Sequence, residues 1–412
     1  MRPDLQVVLG LAVLLGGLLT GCSDSVDEDQ PSTAVSDSTG VSIATSIVSD
    51  AAPTCAATES VRIGSLDGES GIPLYGVNGA SLLDDGRLAV LNRGTSEVLV
   101  ISPSGDLLSR FGREGDGPSE FKNLWSVHVR PPDTLVVGDY RPWRFTFFTP
   151  DGDFIRRVEL QPPEMERPDY AMPLVSGSGF MMEQPHYEVA DEWRDRIVPL
   201  QLYGEDGQST GTLGDFWLDR FGYLAREIRY VGNPIFGAKA RFAALPSGEI
   251  LYAPARHEQL EVWDRDGTLK RIIRWTARPR DVEPGAGDAW RRAERAAIEA
   301  RFEITPELEP VIDAQTGPHL PVAEVYPAND QVVIGRDGAG WVEEYRRPSD
   351  EGLTRWFRFE LSGEFRCVAD LDPDLRLLAA SEDRLYGLVR DDLDVEYIVV
   401  YALGEPQASP VS

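Results

Sequence analysis

One pattern recurs five times along this 412-residue chain: an alternating run of residues, a short turn containing glycine, and a second run. The copies read "EVLVISPSGDLLSRFG", "RFTFFTPDGDFIRRVEL", "IVPLQLYGEDGQSTGTLG", "LEVWDRDGTLKRIIRW" and "TRWFRFELSGEFRCVADL". Asp-Gly and Ser-Gly between such runs are hairpin signals, because the turn needs a positive φ that glycine adopts without steric cost. Each copy follows a second hairpin: "ASLLDDGRLAVLN", "VHVRPPDTLVVGD", "PLVSGSGFMMEQ", "FAALPSGEILYAP" and "QVVIGRDGAGWVEEY". A sixth unit, "LRLLAASEDRLYGLVRDD" followed by "EYIVVYAL", lacks its fourth strand. Two hairpins make four strands per unit, and such a unit buries its faces only by stacking on its neighbours.

Four-stranded repeats of about 40–50 residues are the signature of β-propeller blades. The expected fold is therefore all-β: a six-bladed propeller over residues 55–404, followed by a short tail, 405–412. The missing strand has a source in "ESVRIGSL", Glu59 to Leu66. Pairing it with the last unit closes the ring and removes an unpaired edge. It also carries Cys55 toward Cys367, on the outer strand of the neighbouring blade, which makes the two a disulfide candidate, with two separate buried thiols as the alternative. One segment breaks the strand pattern. In "DVEPGAGDAWRRAERAAIEARFEI", Asp281 to Ile304, residues Trp290, Ala293, Ala297 and Ile304 fall near helical spacing. This reads as a helical insertion between blades four and five, either a lid across the propeller or a packed insertion.

The stretch "FGREGDGPSEFKNLWSVHVRPPDTLVVGDYRPWRFTFFTPDGDFIRRV", Phe111 to Val158, resembles an NHL repeat. It has a glycine-rich loop ending in Glu-Phe, an inner strand, Asp139 after the second strand, Arg144 opening the third, and a terminal Asp-Gly. The resemblance covers the first two blades, while later units drift and lack the Gly-Glu-Phe loop. It implies a propeller, and because NHL-like propellers serve as enzymes, receptors and scaffolds it leaves activity open. The glycine-rich loop itself is an inter-blade connection. A phosphate-binding Walker loop would need Lys-Ser or Lys-Thr after its last glycine, where Pro118 and Ser119 stand.

At the N-terminus, Arg2 precedes the apolar run Val7 to Leu19, which has the length of a signal-peptide core and falls short of a bilayer span. It ends in "LTGC", Leu19 to Cys22, which resembles the bacterial lipoprotein box. The resemblance implies a signal peptide over 1–21, acylation of Cys22 and stable membrane attachment. Ser23, where inner-membrane retention signals usually carry Asp, favours the outer membrane and leaves its face undetermined. Residues 22–54, rich in Ser, Thr and Asp with no Lys or Arg, have the composition of a flexible tether.

The formal net charge of −28, from 40 basic and 68 acidic side chains, argues against DNA or RNA as a partner. A monomer is expected. Conventional catalytic motifs are absent, so a binding or protein-interaction module is the leading expectation. The alternative is a metal-dependent hydrolase or lyase with its site in the central channel, as in some related propellers. No cofactor motif is present. Calcium has no complete loop in "DLDPDL", Asp370 to Leu375, and zinc no helical pair in "HEQLE", His257 to Glu261. His186 and His257 occupy similar turns by blade alignment, which keeps the metal alternative open.

The turns between second and third strands carry a cation in nearly every unit: Arg93, Arg141, Arg256, Arg346 and Arg390, with His186 in the third. With Asp139, Tyr140, Trp143 and His257 beside them, they are expected to form a basic ring suited to an anionic group on a peptide or glycan of the cell envelope. The alternative is that each arginine pairs locally, with acids such as Asp139, Glu258, Glu344 or Asp391.

Overall fold

The computed structural model describes residues 33–66, 71–140, 143–161, 171–174, 179–183, 193–225 and 230–408. A hairpin, β1 (Thr33–Ser38) and β2 (Val41–Ile47), is followed by β3 (Ala57–Ile63). The first sheet holds β4 (Val77–Leu82), β5 (Leu88–Asn92), β6 (Glu97–Ile101) and β7 (Leu107–Phe111). The second holds β8 (Leu124–Arg130), β9 (Thr134–Asp139), β10 (Arg144–Phe148) and β11 (Phe154–Glu159). The third has five strands, β12 (Ala171–Pro173), β13 (Phe180–Glu183), β14 (Arg194–Tyr203), β15 (Ser209–Ala225) and β16 (Tyr230–Gly232). The fourth contains β17 (Arg241–Ala244), β18 (Ile250–Ala253), β19 (Gln259–Trp263) and β20 (Leu269–Thr276), extended by β2 and β1. Helices α1 (Ala286–Arg301) and α2 (Glu309–Thr316) come next. The fifth sheet is β21 (Asn329–Ile334), β22 (Gly340–Glu344), β23 (Thr354–Phe359) and β24 (Phe365–Leu371). The sixth joins β25 (Arg376–Ala380), β26 (Arg384–Arg390) and β27 (Glu396–Leu403) to β3.

The middle strands are continuous apolar runs because both of their faces are covered. In β5, Leu88 and Val90 pack toward the sixth sheet while Ala89 and Leu91 pack toward the second. Six apolar clusters each join two consecutive sheets, and one of them joins the sixth to the first through Ile398, Val400, Leu88 and Val90. Full burial of each such side chain stabilises by about 1.5–3 kcal/mol. The result is an all-β, propeller-like fold with two helices. No helix among the described residues is long and apolar enough to cross a membrane.

The turn glycines have a second role beyond their positive φ. At Gly152 (φ 95°) an added Cβ would stand 2.5 Å from Phe111 on the outer strand of the preceding sheet, and at Gly267 (φ 83°) it would stand 2.7 Å from the Leu213 carbonyl. Each turn therefore rests on its neighbour's rim and fixes the sheet-to-sheet spacing. β3 runs antiparallel to β27, from Ile63 opposite Ile398 to Ala57 opposite Leu403. Cys55, just upstream, is disulfide-bonded to Cys367 of β24, with the Cα atoms 5.7 Å apart.

Three expectations need correction. Residues 33–47, read as part of the tether, form the β1–β2 hairpin, whose second strand pairs parallel with β20 from Ser42 opposite Arg271 to Ile47 opposite Thr276. Averaged composition hid the alternation within "VSIATSI", which buries Ala44 and Ser46 completely. The third sheet exceeds four strands because its β14–β15 hairpin is long and β16 adds to it. The insertion carries two helices: α1 falls inside the expected range, and the shorter α2 lies beyond it. Arg295 ties α1 to α2 through Glu309 and through Asp313 at 2.9 Å, and Ile235, Phe236, Leu320 and Tyr326 form the core beneath them.

Candidate functional site

Among the described residues the first strand of every sheet has no strand partner on its inner side, so its free edge and inward side chains face a common space. That space is a cavity of about 770 Å³ lined by residues of β4, β8, β12, β17, β21 and β25. A smaller cavity of about 120 Å³ shares Ala80, Ser81, His128, Ala244, Ile334 and Leu378 with it and extends toward the turn that carries Arg336. Arg336 pairs there with Asp84 of the first sheet's turn.

The large cavity is cationic. Among the described residues its lining contains Arg196, Lys239, Arg241 and Arg376 against a single acid, Asp219, within a chain whose net charge is −28. Arg196 and Asp219 face each other across β14 and β15 and bond as a fork, Nε to Oδ1 at 3.0 Å and Nη2 to Oδ2 at 2.8 Å. They largely neutralise each other. Arg376 donates to the Val77 carbonyl, and burial lowers its pKa while Glu396 opposes the shift. Arg241 lies 4.0 Å from Asp330, and among the described residues Lys239 has no ion-pair partner. A cleft lined by one sign of charge focuses the field and raises the local concentration of anions.

His128 lies where the two cavities meet. Burial, with a smaller contribution from Arg130, pushes its imidazole down to about 4, so the ring is neutral near pH 7. Among the described residues no group of three or more His, Cys, Asp or Glu side chains is placed to hold a metal ion.

The residues singled out from the sequence sit elsewhere. Cys22, Arg141 and His186 lie outside the described residues, and none of the others lines the cavity. Arg93 is exposed on a short turn of 3₁₀ helix after β5. Arg256 covers the Trp217 ring at 4.7 Å and lies 3.8 Å from Asp195. Arg346 donates to the Asp350 carbonyl at 3.1 Å. Arg390 bonds Glu396 at 2.7 Å, which in turn accepts from the Val77 N–H at 2.7 Å. Burial and the neighbouring Arg256 and Arg280 lower the His257 imidazole. Tyr140 meets Trp143 edge-on at 4.7 Å, and Trp143 is buried. Local pairing thus describes Arg346 and Arg390, and the described members of the expected ring are not part of the cavity lining.

Asp139 also acts structurally. Buried at 2% exposure, it accepts from the backbone N–H groups of Lys122 at 3.1 Å and Asn123 at 2.6 Å, and pairs with Arg144. The spacing noted in the repeat is a clasp that holds the incoming loop. The helices do not line the cavity either. The hairpin β14–β15 contributes Arg196, Leu218 and Asp219 to its lining. The channel cations were visible at the start of first strands, in "KARFAAL" and "LRLLAA", had the units been aligned there rather than at the turns.

No protein-family model matches the sequence, and no curated protein matches it. The structure is similar to a member of the DUF4221 family from Bacteroides vulgatus, at TM-score 0.49 and 11% identity, covering 85% of this chain and 99% of that one. It is similar to a Bacteroides fragilis protein described as exported, at TM-score 0.47 and 10% identity, covering 87% of this chain and 100% of that one. A gluconolactonase from Xanthomonas campestris is also similar, at TM-score 0.39 and 12% identity, covering 86% and 98%.

Proposed function

We propose that this chain is an exported, lipid-anchored propeller of six blades, closed by β3, that binds a small anionic ligand in its central channel. The observation that carries the reading is the set of four cations against one acid around a cavity of about 770 Å³. Such a volume suits a small-molecule site, and guanidinium groups match carboxylate, sulfate or phosphate oxygens. The ligand is an anionic peptide or glycan group of the cell envelope, and the protein acts as a binding module. Six interfacial clusters and the β3–β27 pairing support six blades and closure. The apolar run 7–19 and the "LTGC" sequence support export and acylation at Cys22, with the outer membrane favoured by Ser23. With the hairpin folded onto the fourth sheet, residues 23–32 link it to Cys22, a span of at most roughly 35 Å at 3.3–3.6 Å per residue.

The test is calorimetric titration of acetate, sulfate and phosphate into the wild type and a Lys239→Ala/Arg241→Ala variant at low salt. Charged hydrogen bonds predict a loss of roughly tenfold or more for the best-bound anion. Equal affinities in two proteins of equal thermal stability would overturn the reading.

A further inference from the structure

The first strands are not regular where they meet the cavity. In β4 the pairing with β5 jumps from Val77 to Gly79, leaving Asn78 without an opposite residue. In β8 it jumps from Leu124 to Ser126 and leaves Trp125. In β21 it jumps from Asn329 to Val332, so Asp330 and Gln331 share one partner position. Asn78, Trp125 and Gln331 all line the cavity. β25 skips in the same way between Leu377 and Ala379 and leaves the apolar Leu378, which also lines the cavity. A bulge bends its strand and re-aims the extra side chain, so four side chains turn inward, of which Asn78, Trp125 and Gln331 can hydrogen-bond.

These three residues share a chemistry that the cations lack: each is uncharged and carries hydrogen-bonding groups. Asn78 uses one N–H to hold the Trp125 carbonyl at 2.8 Å, which leaves its amide oxygen available. Among the described residues no hydrogen bond engages the Trp125 indole N–H or the Gln331 amide, and neither group is sealed in the core. The charged residues come from the third, fourth and sixth sheets, whereas these come from the first, second and fifth. Around the cavity β4 adjoins β8, which sets Asn78 beside Trp125, whereas β21 lies between β17 and β25, so Gln331 stands between strands that carry cations.

Resting on the reading of the channel as an anion site, we infer that bulge residues Asn78 and Trp125, side by side, form a second, uncharged subsite, with Gln331 a further neutral contact between the cation-bearing strands β17 and β25. Its ligand is a small carboxylate or related oxyanion that carries a neutral hydrogen-bonding arm, an amide or hydroxyl, beside the charge. A bare anion engages only the cations.

The experiment titrates the full chain with acetate, N-acetylglycylglycine and glucuronate, then repeats the series with Trp125→Phe/Gln331→Leu. This variant keeps a ring against Tyr140 and the bulk at 331. Two neutral hydrogen bonds predict that at least one arm-bearing probe binds about tenfold more tightly than acetate to the wild type. The variant should lose that advantage and bind acetate as before; Gln331→Leu alone, at a half-buried position, should lose part of it. Preference for the acetylated dipeptide assigns the arm to a peptide, and preference for glucuronate assigns it to a sugar acid. The inference falls if the advantage survives in the variant, or if the wild type binds acetate as tightly as both longer probes. If the wild type binds none of the three, the anion reading has failed and the second subsite fails with it.

Discussion

The Asn78 side-chain amide donates to the Trp125 carbonyl at 2.8 Å, joining the bulge of the first sheet to that of the second. Behind each bulge stands a buried polar residue at the end of the second strand. Asn92 accepts from the Tyr75 N–H at 2.6 Å and sits opposite Val77, and Asp139 accepts from the Asn123 N–H at 2.6 Å and sits opposite Leu124. These groups hold the incoming loops and so set where the inner strand starts.

The clasp at Asp139 is therefore expected to be costly to break. Asp139→Ala leaves Arg144, at 5% exposure, without its buried partner. Removal of one member of a buried ion pair costs about 3–5 kcal/mol. Urea unfolding should show that loss, and replacing both residues by apolar ones should recover much of it.

The N-terminal hairpin should behave as part of the fold. Ala44 is fully buried against Gly363 of the fifth sheet's turn and Ile273 of β20. Ala44→Leu overpacks this junction, with a cost of about 1–3 kcal/mol. Hydrogen exchange within Val41–Ile47 should then rise steeply, while exchange in β5 and β6 stays slow.

The Cys55–Cys367 bridge closes a loop of 312 residues. The chain-entropy model gives a stabilisation of about 6 kcal/mol for a loop of that size. Cys55→Ser/Cys367→Ser should unfold at markedly lower denaturant concentration than the wild type, and reductant under denaturing conditions should abolish the difference.

Stability should also depend on pH through Glu343, a residue of β22 that is 7% exposed. Burial, assisted by Asp330, raises its carboxyl to about 8. The folded state therefore holds this proton between the unfolded carboxylate range and pH 8, where the unfolded state has lost it. Stability falls as pH rises through that window. Glu343→Gln should flatten the slope, gaining on the order of 2 kcal/mol at pH 8 and little at pH 4. Melting curves at the two pH values check this.

Much of the fold was legible because a repeat announces itself. Turn chemistry located the hairpins, and a missing strand at one end matched a spare strand at the other. The β1–β2 hairpin was obscured because Ser and Thr are as common in tethers as in exposed strands; its signal lay in the few positions that become buried, Ala44, Ser46 and Val48. The site was harder to read for a geometric reason. Turns were compared by their cations, but Arg346 and Arg390 spend theirs on local acceptors, while Lys239, Arg241 and Arg376 reach the channel from the starts of first strands. Bulges cannot be read from a period-two pattern, since one extra residue looks like an imperfect alternation.

The central claim is that the channel takes up an anion at its cations, and the chain offers a direct reporter. It has three lysines, Lys122, Lys239 and Lys270. Lys122 pairs with Asp116 at 2.6 Å and Lys270 with Asp264 at 3.4 Å, whereas Lys239 lines the cavity. The decisive measurement is amine acetylation read by mass spectrometry with and without saturating N-acetylglycylglycine, glucuronate or sulfate. The account predicts that at least one of these anions slows modification of Lys239 and leaves Lys122 and Lys270 unchanged. Equal rates at Lys239 with and without every anion would contradict it.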